Sequence, residues 1–207
     1  MNDMRSGWTR GLRRALLWSC LAVFCAALAA CSSKPAFDNL DLTGNTAFGQ
    51  DFALPDSDGH LRTLADYKHR VVVLVFGYTH CPDVCPTTLA DLSQAMQQLG
   101  PAAQQVQVLF VTLDPARDTP TVMAQYVHAF DPHFAALIPQ TDAQLKQVTH
   151  DFRIYYARAA GAKPGDYTID HTAASYVFDR DGKLRLFVKD AQGAASWVHD
   201  LKLLLES

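Results

Sequence analysis

The sequence has few cysteines, no stripe of basic residues and no internal repeat. Five cysteines occur among 207 residues, and two of them, Cys81 and Cys85, are four positions apart. A structural disulfide between these two is not favoured, because it would close a short loop and disulfide stabilisation grows with loop length. The lack of a basic stripe argues against a nucleic-acid partner. Without repeats or a second set of elements, the length fits one ordinary domain.

The first thirty residues have the pattern of an export signal. An apolar run from Ala15 to Ala27 follows a basic segment that contains Arg5, Arg10, Arg13 and Arg14. Two alanines then precede Cys31, which resembles the lipobox of bacterial lipoproteins, where the cysteine is acylated and becomes the mature N-terminus. We therefore expect Cys31 to be lipidated. A retained membrane anchor is the alternative, although the apolar run is short of the roughly 17 to 25 residues that a spanning helix needs.

This signal divides the chain into three predicted parts: a signal peptide at 1–30, a lipid-anchored tether at 31–50, and a folded domain at 51–207. The protein would then lie in the bacterial cell envelope, facing the periplasm and anchored to a membrane, with the inner membrane as the expected one. Cys20 and Cys25 leave with the signal. Because residues 1–30 hold four Arg and one Asp, their removal changes the net charge from −3 to −6.

The most informative stretch is a buried strand followed directly by the cysteine pair. Val71–Phe76 is apolar and mostly β-branched, which predicts a strand covered on both faces. The run ends at Gly77, and an amphipathic helix is predicted from about Thr87 to Leu99. Cys81 and Cys85 therefore lie near a helix N-terminus, where unpaired N–H groups and the helix dipole favour a thiolate. A thiolate is both the nucleophile of disulfide exchange and a soft ligand for Cu(I) or Zn(II).

The rest of the pattern predicts an α/β fold. Further strands are predicted at 51–54, 60–64, 106–111, 135–139, 153–156, 174–178 and 183–188, with a loop at 159–167. Further helices are predicted at 119–130, after Thr141, and at 197–205. This order describes a central mixed sheet flanked by helices, with an N-terminal hairpin. A cysteine pair on the first long helix of such a chain is the thioredoxin-like arrangement.

The spacing of the two cysteines permits two chemistries. Three residues separate them, whereas thioredoxin-type enzymes have two. Residues four apart on a helical turn have Cβ atoms about 5 to 6 Å apart, and two sulfurs bonded to one tetrahedral metal would lie roughly 4 Å apart. The same pair can close a disulfide, although the required geometry is narrower. The spacing favours a metal and leaves redox exchange open.

A metal site needs a third ligand, and His171 is the strongest candidate. It precedes the 174–178 strand, at a loop end that a thioredoxin-like sheet brings towards the cysteine turn. One imidazole and two thiolates suit copper, and Asp170 would orient the ring. His80 adjoins Cys81, but an adjacent side chain usually points away. Surface positions are expected for the other histidines, which are His60, His69, His128, His133, His150 and His199.

A charged turn, residues 114–120, follows the second buried strand. The simpler interpretation is a helix cap with a salt bridge between Arg117 and an acid. The alternative is that Asp114 and Asp118 support the metal site from behind its ligands, or dock a partner, because this edge of a sheet is where ligands often bind. Met96 and Met123 have core spacing and are not expected to bind copper.

Three segments of the chain together resemble the Sco/SenC family. They are residues 76–89, which contain the cysteine pair, residues 111–120, and Asp170-His171-Thr172, and the resemblance extends roughly from Phe52 to the C-terminus. It implies a thioredoxin-like fold with one copper ion, Cu(I) or Cu(II), bound by Cys81, Cys85 and His171. Family members are thought to deliver copper to the binuclear CuA centre of cytochrome c oxidase subunit II, to reduce that subunit's cysteines, or both.

The leading hypothesis is therefore a copper metallochaperone that serves cytochrome c oxidase subunit II or another copper acceptor. Its own partner would be a periplasmic copper donor or thiol reductant. The alternative is a thiol–disulfide oxidoreductase in which Cys81 attacks and Cys85 resolves, giving a Cys81–Cys85 disulfide in the oxidised form. A peroxidase is disfavoured by the second cysteine so close to the first. A structural zinc site would need four closed ligands, and three are evident.

Overall fold

The protein is built on a mixed sheet with helices on both faces. The computed structural model describes residues 36–161, 165–190 and 192–207. The strands are β1 Leu40–Asp41, β2 Ala53–Pro55, β3 Leu61–Thr63, β4 Val71–Gly77, β5 Val106–Thr112, β6 Ala135–Leu137, β7 Tyr156–Ala160, β8 Tyr167–His171, β9 Ala174–Phe178 and β10 Leu184–Lys189. The helices are α1 Val84–Leu99, α2 Pro120–His128, α3 Asp142–Asp151 and α4 Gly193–Leu205, with 3-10 turns at Leu64–Tyr67 and Gly100–Gln105. Within these described ranges, no helix has the length and apolar character needed to cross a bilayer.

The main sheet has the strand order β1-β10-β9-β4-β5-β6. Its centre is the parallel pair β4 and β5, which runs in register from Val71 opposite Val106 to Gly77 opposite Thr112. All residues of both strands are buried, as expected for a parallel pair with helices on both faces. Strand β6 continues the parallel half, and β9, β10 and β1 form an antiparallel half. The carboxyl ends of β4 and β5 therefore lie side by side.

Alternation along β4 divides the hydrophobic core into two layers, because successive side chains of a strand point to opposite faces. The odd-numbered side chains pack with residues of α1, α2 and α4; they are Val71, Val73 and Val75. The even-numbered side chains pack with α3 and with the hairpin formed by β2 and β3. This hairpin and the β9–β10 hairpin confirm the sequence prediction, as do the caps of α2 and α3, where Thr119 and Thr141 accept backbone N–H groups.

Helix α1 begins earlier than predicted, and this matters for the cysteine pair. It starts at Val84 instead of near Thr87. Pro86 therefore lies inside the first turn of the helix, where the missing N–H of proline has no intrahelical partner to lose. Cys85 is consequently a helical residue with fixed backbone geometry, while Cys81 lies in the preceding turn.

The prediction of a tether at 31–50 is wrong for residues 37–50, because they pack on the domain. Phe37 to Ser207 form one compact unit, and β1 pairs with β10 through Leu40 opposite Phe187. The backbone N–H groups of Asp38 and Asn39 donate to the buried carboxylate of Asp200 on α4, at 2.8 and 3.1 Å. The signal peptide, the lipidation site Cys31 and residues 31–35 lie outside the described residues.

The loop predicted at 159–167 is shorter in the structure, because its two ends belong to the strands of a third hairpin. Strand β7 extends through Ala160, and β8 begins at Tyr167, with Tyr156 opposite His171 at the open end. The sequence signal was obscured because two glycines and a proline occur between these strands in the sequence, while the strands themselves are only partly buried and lack a long apolar run. His171 is therefore the last residue of a paired strand, and its position is set by the pairing.

Candidate metal-binding and redox site

Cys81, Cys85 and His171 converge at the carboxyl end of β4. The sulfur atoms and one imidazole nitrogen all lie within 4.8 Å of one another. His171 Nε2 is 3.8 Å from Cys85 Sγ. Cys85 is buried, and Cys81 and His171 are partly exposed. The fold thus brings together the three residues that the sequence predicts as metal ligands, although Cys85 and His171 are 86 positions apart in the chain.

Gly77 makes room for the buried sulfur. A Cβ atom at this position would lie 2.6 Å from Cys85 Sγ and 2.8 Å from Phe110 Cζ, well inside van der Waals contact. Cys85 Sγ therefore rests directly against the backbone of β4, with the Phe110 ring beside it. The glycine that ends the apolar run is required for this close approach and not for an unusual backbone angle.

The two cysteines have opposite protonation preferences. Hydrogen bonding with the Cys85 side chain holds the pKa of Cys81 well below its usual range; burial opposes this, and His171 adds to the lowering. The Cys85 backbone N–H, at the start of α1, lies 3.5 Å from Cys81 Sγ, as expected for a thiolate at a helix N-terminus. Hydrogen bonding to Cys81 raises the pKa of Cys85, and burial raises it further. These effects favour the thiolate form of Cys81 and the thiol form of Cys85.

The His171 ring is held by its own backbone neighbour. Nδ1 lies 3.0 Å from the Thr172 carbonyl oxygen, so in the neutral ring Nδ1–H donates there and Nε2 is left facing the sulfurs. Tyr78 packs its ring edge to face against the imidazole, with centroids 6.0 Å apart. Burial acts to lower the pKa of His171, but hydrogen bonding to Cys81 and to the Thr172 carbonyl outweighs it, so the pKa is raised.

Asp170 does not have the predicted orienting role. Its side chain is exposed, whereas the next residue faces the site, because adjacent residues of a strand point to opposite faces. Thr172 supplies the contact to Nδ1 that had been predicted for Asp170. A carbonyl oxygen can orient a metal-binding imidazole as well as a carboxylate can.

Asp114 supports the hairpin that carries His171. Its side chain is fully buried and forms an ion pair with Arg117, as the simpler interpretation of the charged turn predicts. Tyr167 Oη donates to Asp114 Oδ1 at 2.7 Å, and Arg117 Nη1 donates to the Tyr167 carbonyl at 2.9 Å. The Arg117 guanidinium also lies 3.6 Å from the centre of the Tyr167 ring. These contacts fix the first residue of β8 to the carboxyl end of β5, which positions His171 at the other end of β8.

Asp118 fixes the turn before the cysteines. It is completely buried and accepts hydrogen bonds from the Thr79 backbone N–H at 3.1 Å and from Thr112 Oγ1 at 2.6 Å. The exposed ring of His80 lies 3.1 Å from Thr79 Oγ1 and takes no part in the cysteine cluster. The charged turn therefore acts on the site from behind, through the backbone segments that carry the ligands.

Two residues near the cluster were not identified from the sequence. Tyr78 Oη accepts the Ile169 backbone N–H at 3.1 Å, which joins the cysteine turn to β8. Asp190, just after β10, reaches Thr88 on α1, with Oδ1 3.4 Å from the hydroxyl. An aromatic residue next to the cysteine turn is a weak local signal for Tyr78. Nothing local marks Asp190, because its proximity depends on β10 lying beside β9 in the folded sheet.

The first prediction concerns the reactivity of the two thiols. The rate of alkylation of Cys81 by iodoacetamide should be nearly the same at pH 9 and at pH 6, because the pKa of Cys81 is lowered and the thiolate persists. An ordinary thiol, with a pKa of about 8.5, is below about 1% ionised at pH 6. Quenched time courses read by mass spectrometry would measure each site. The Cys81→Ser variant is the control, since buried Cys85 should then react slowly. A Cys81 rate that falls tenfold per pH unit below pH 8 would contradict this assignment.

The second prediction concerns the anchor of the hairpin. Tyr167→Phe removes the hydroxyl donor from a buried carboxylate, so the free energy of unfolding of the metal-free protein should fall by about 1.5 to 3 kcal/mol. Urea denaturation followed by far-UV circular dichroism measures it. Tyr155→Phe is the matched control, because Tyr155 is 65% exposed. Equal stability of Tyr167→Phe and the wild-type protein would show that this contact contributes nothing.

Comparison with solved structures confirms the thioredoxin-like fold. The structure of Bradyrhizobium japonicum ScoI with copper bound matches 77% of this chain and all of that chain, with a TM-score of 0.67 and 38% identity. Apo Sco1 from Thermus thermophilus matches 84% of this chain and all of its own, with a TM-score of 0.73 and 36% identity. The chain is thus similar in fold and sequence to one relative solved with copper and one solved without it.

Curated sequences give the same result. The mitochondrial SCO2 homolog of Bos taurus is 40% identical over 151 residues, which cover 72% of this chain and 56% of that protein. A SCO2-like protein of Rickettsia felis is 35% identical over 149 residues, covering 71% of this chain and 72% of that protein. The match therefore spans little more than half the length of the bovine relative.

The family assignment rests on a match to a family model. The family model described as SCO1/SenC matches residues 40–206, which include every strand and helix from β1 to α4. The same region holds the cysteine pair and His171. This chain belongs to the SCO1/SenC family.

Proposed function

We propose that this protein is a copper metallochaperone that holds one copper ion between Cys81, Cys85 and His171. The observation that carries the proposal is the convergence of two sulfur atoms and one imidazole nitrogen within 4.8 Å. Soft thiolates select Cu(I), and imidazole suits copper in either oxidation state. The Bradyrhizobium japonicum relative, 38% identical, was solved with copper bound.

The chemistry of the donor set fits copper better than structural zinc. A closed zinc site takes four protein ligands, while the cluster among the described residues offers three. Cys81 and Thr172 border solvent, so an incoming ligand can approach from that side. A three-donor site with an accessible side is suited to passing its ion on by ligand exchange.

The acceptor in this proposal is the CuA centre of cytochrome c oxidase subunit II, or another copper-accepting protein. The proposal keeps lipid on Cys31 as the membrane anchor and the periplasm-facing envelope as the location. A periplasmic copper donor or thiol reductant would load or reset the site.

A second activity uses the same sulfurs. The Cys81 thiolate attacks one sulfur of an acceptor disulfide and releases the other sulfur as a thiolate; Cys85, losing its proton, then attacks Cys81 Sγ and releases the second acceptor thiol. The acceptor leaves as a dithiol, and this protein leaves with a Cys81–Cys85 disulfide that a separate thiol reductant must reduce. The observation that favours this activity is the asymmetry of the pair, with a low pKa at partly exposed Cys81 and a raised pKa at buried Cys85. Copper and the disulfide exclude each other.

Copper titration tests the ligand set. In separate titrations, the reduced protein should bind one equivalent of Cu(I) or one equivalent of Cu(II). His171→Ala should weaken Cu(II) binding far more than Cu(I) binding, because two thiolates can hold Cu(I) alone. Competition with chelators of known affinity measures each dissociation constant. His80→Ala is the matched control, since His80 lies outside the cluster. Equal retention of Cu(II) by His171→Ala would remove His171 from the site.

A transfer assay separates the two activities. Copper-loaded protein is mixed with the dithiol form of the purified copper-accepting domain of subunit II, and reduced, metal-free protein is mixed with its disulfide form. A chaperone gives the CuA absorption spectrum with the dithiol form, and His171→Ala should abolish this while retaining disulfide reduction. The opposite result would be that His171→Ala is fully active in both assays and that only Cys81→Ser and Cys85→Ser lose both activities. That result would leave thiol exchange as the function.

A further inference from the structure

Asp190 places an unpaired carboxylate oxygen beside the proposed copper site. The residue follows β10, and its Oδ1 lies 3.4 Å from the hydroxyl of Thr88. Thr88 is three residues beyond Cys85 on α1. Its Oδ2 is shielded from solvent and has no hydrogen-bond partner among the described residues. Buried carboxylate oxygens are normally hydrogen-bonded, so one without a partner needs an explanation.

The surroundings of Asp190 show what it faces. Burial raises its pKa, and attraction to His171 and the bond from Thr88 act in the opposite direction. In return, the Asp190 charge contributes to raising the pKa of both His171 and Cys85. The carboxylate is therefore electrostatically coupled to the donor groups on α1 and at the end of β8. It is not a member of the cluster whose ligand atoms lie within 4.8 Å of one another.

A carboxylate with one long hydrogen bond and an unpaired, solvent-shielded oxygen is costly in the metal-free protein, because the desolvation of that oxygen is poorly compensated. The charge that faces this carboxylate depends on the oxidation state of the copper held by Cys81, Cys85 and His171. Two thiolates with Cu(I) carry a net charge of −1 and would repel the carboxylate, whereas two thiolates with Cu(II) are neutral.

We infer that Asp190 acts as a fixed charge that shifts the preference of the site from Cu(I) towards Cu(II) without coordinating the ion. The inference rests on the proposed copper site and adds the control of its oxidation state. Asp190 acts through the field at the metal and not through a bond, because the three donors are already within reach of one ion. It is a tuning residue carried by β10, outside the segments that hold the ligands.

The test is the ratio of the Cu(I) and Cu(II) dissociation constants in Asp190→Asn, which keeps the side-chain volume and removes the charge. At an effective dielectric constant of about 20, unit charges roughly 10 Å apart interact strongly enough to change this ratio by about tenfold in favour of Cu(I). By linkage, that change corresponds to a rise of about 59 mV in the one-electron copper potential. Chelator competition gives the ratio, and redox titration gives the potential independently.

Two variants serve as controls. Asp190→Glu retains the charge and should keep the ratio and the potential close to the wild-type values. Asp181→Asn removes the same charge from an exposed carboxylate in the turn between β9 and β10, so it should leave both unchanged. An equal shift in Asp181→Asn would mean that net charge, and not the position of Asp190, sets the ratio.

Thermal unfolding of the metal-free protein supplies a second readout. Asp190→Asn should raise the unfolding midpoint, because it removes a poorly compensated, partly buried charge. A lowered midpoint would assign Asp190 a structural role and overturn the inference. Copper binding with an unchanged ratio would also overturn it while leaving the proposed function intact. Failure of the wild-type protein to bind copper would overturn the proposed function, and the inference with it.

Discussion

The structure depends on the contact between a helical cysteine and the end of the central strand. Cys85 Sγ can reach its position only because Gly77 leaves no Cβ in the way. Since β4 is fixed in register with β5 and α1 begins at Val84, the sulfur is held between a fully buried strand and the first turn of α1. The cysteine turn between them is then short, and its conformation is held by Asp118. The buried sulfur of Cys85 is therefore held rigidly, whereas the sulfur of Cys81 is accessible from the solvent.

The third donor arrives on a different part of the fold and needs its own support. His171 ends the β7–β8 hairpin, which is not part of the main sheet. Three contacts join this hairpin to the core: Tyr167 with Asp114, Arg117 with the Tyr167 backbone, and Ile169 with Tyr78. A ligand on a peripheral hairpin can move more easily than the cysteines. This arrangement suits the proposed copper site, which holds the ion and later releases it.

Much of the fold and of the site could be predicted from the sequence, for identifiable reasons. The buried runs at β4 and β5 and the caps at Thr119 and Thr141 are local signals, and all four were interpreted correctly. The β7–β8 hairpin was missed because its strands are half-exposed and its tip is rich in turn residues. Asp170 was assigned a role that belongs to the Thr172 carbonyl, and backbone groups leave no sequence signature. Asp190 could not have been predicted, because its proximity to Thr88 depends on β10 lying beside β9 in the folded sheet.

X-ray absorption spectroscopy at the copper edge tests the central claim most directly. Protein loaded with one equivalent of Cu(II), and again after reduction to Cu(I), should give two sulfur scatterers and one imidazole nitrogen in the wild-type protein. Loss of the imidazole signal in His171→Ala with both sulfurs retained would match the geometry of the Cys81, Cys85 and His171 cluster. A spectrum with fewer than two sulfurs, or one unchanged by His171→Ala, would contradict it.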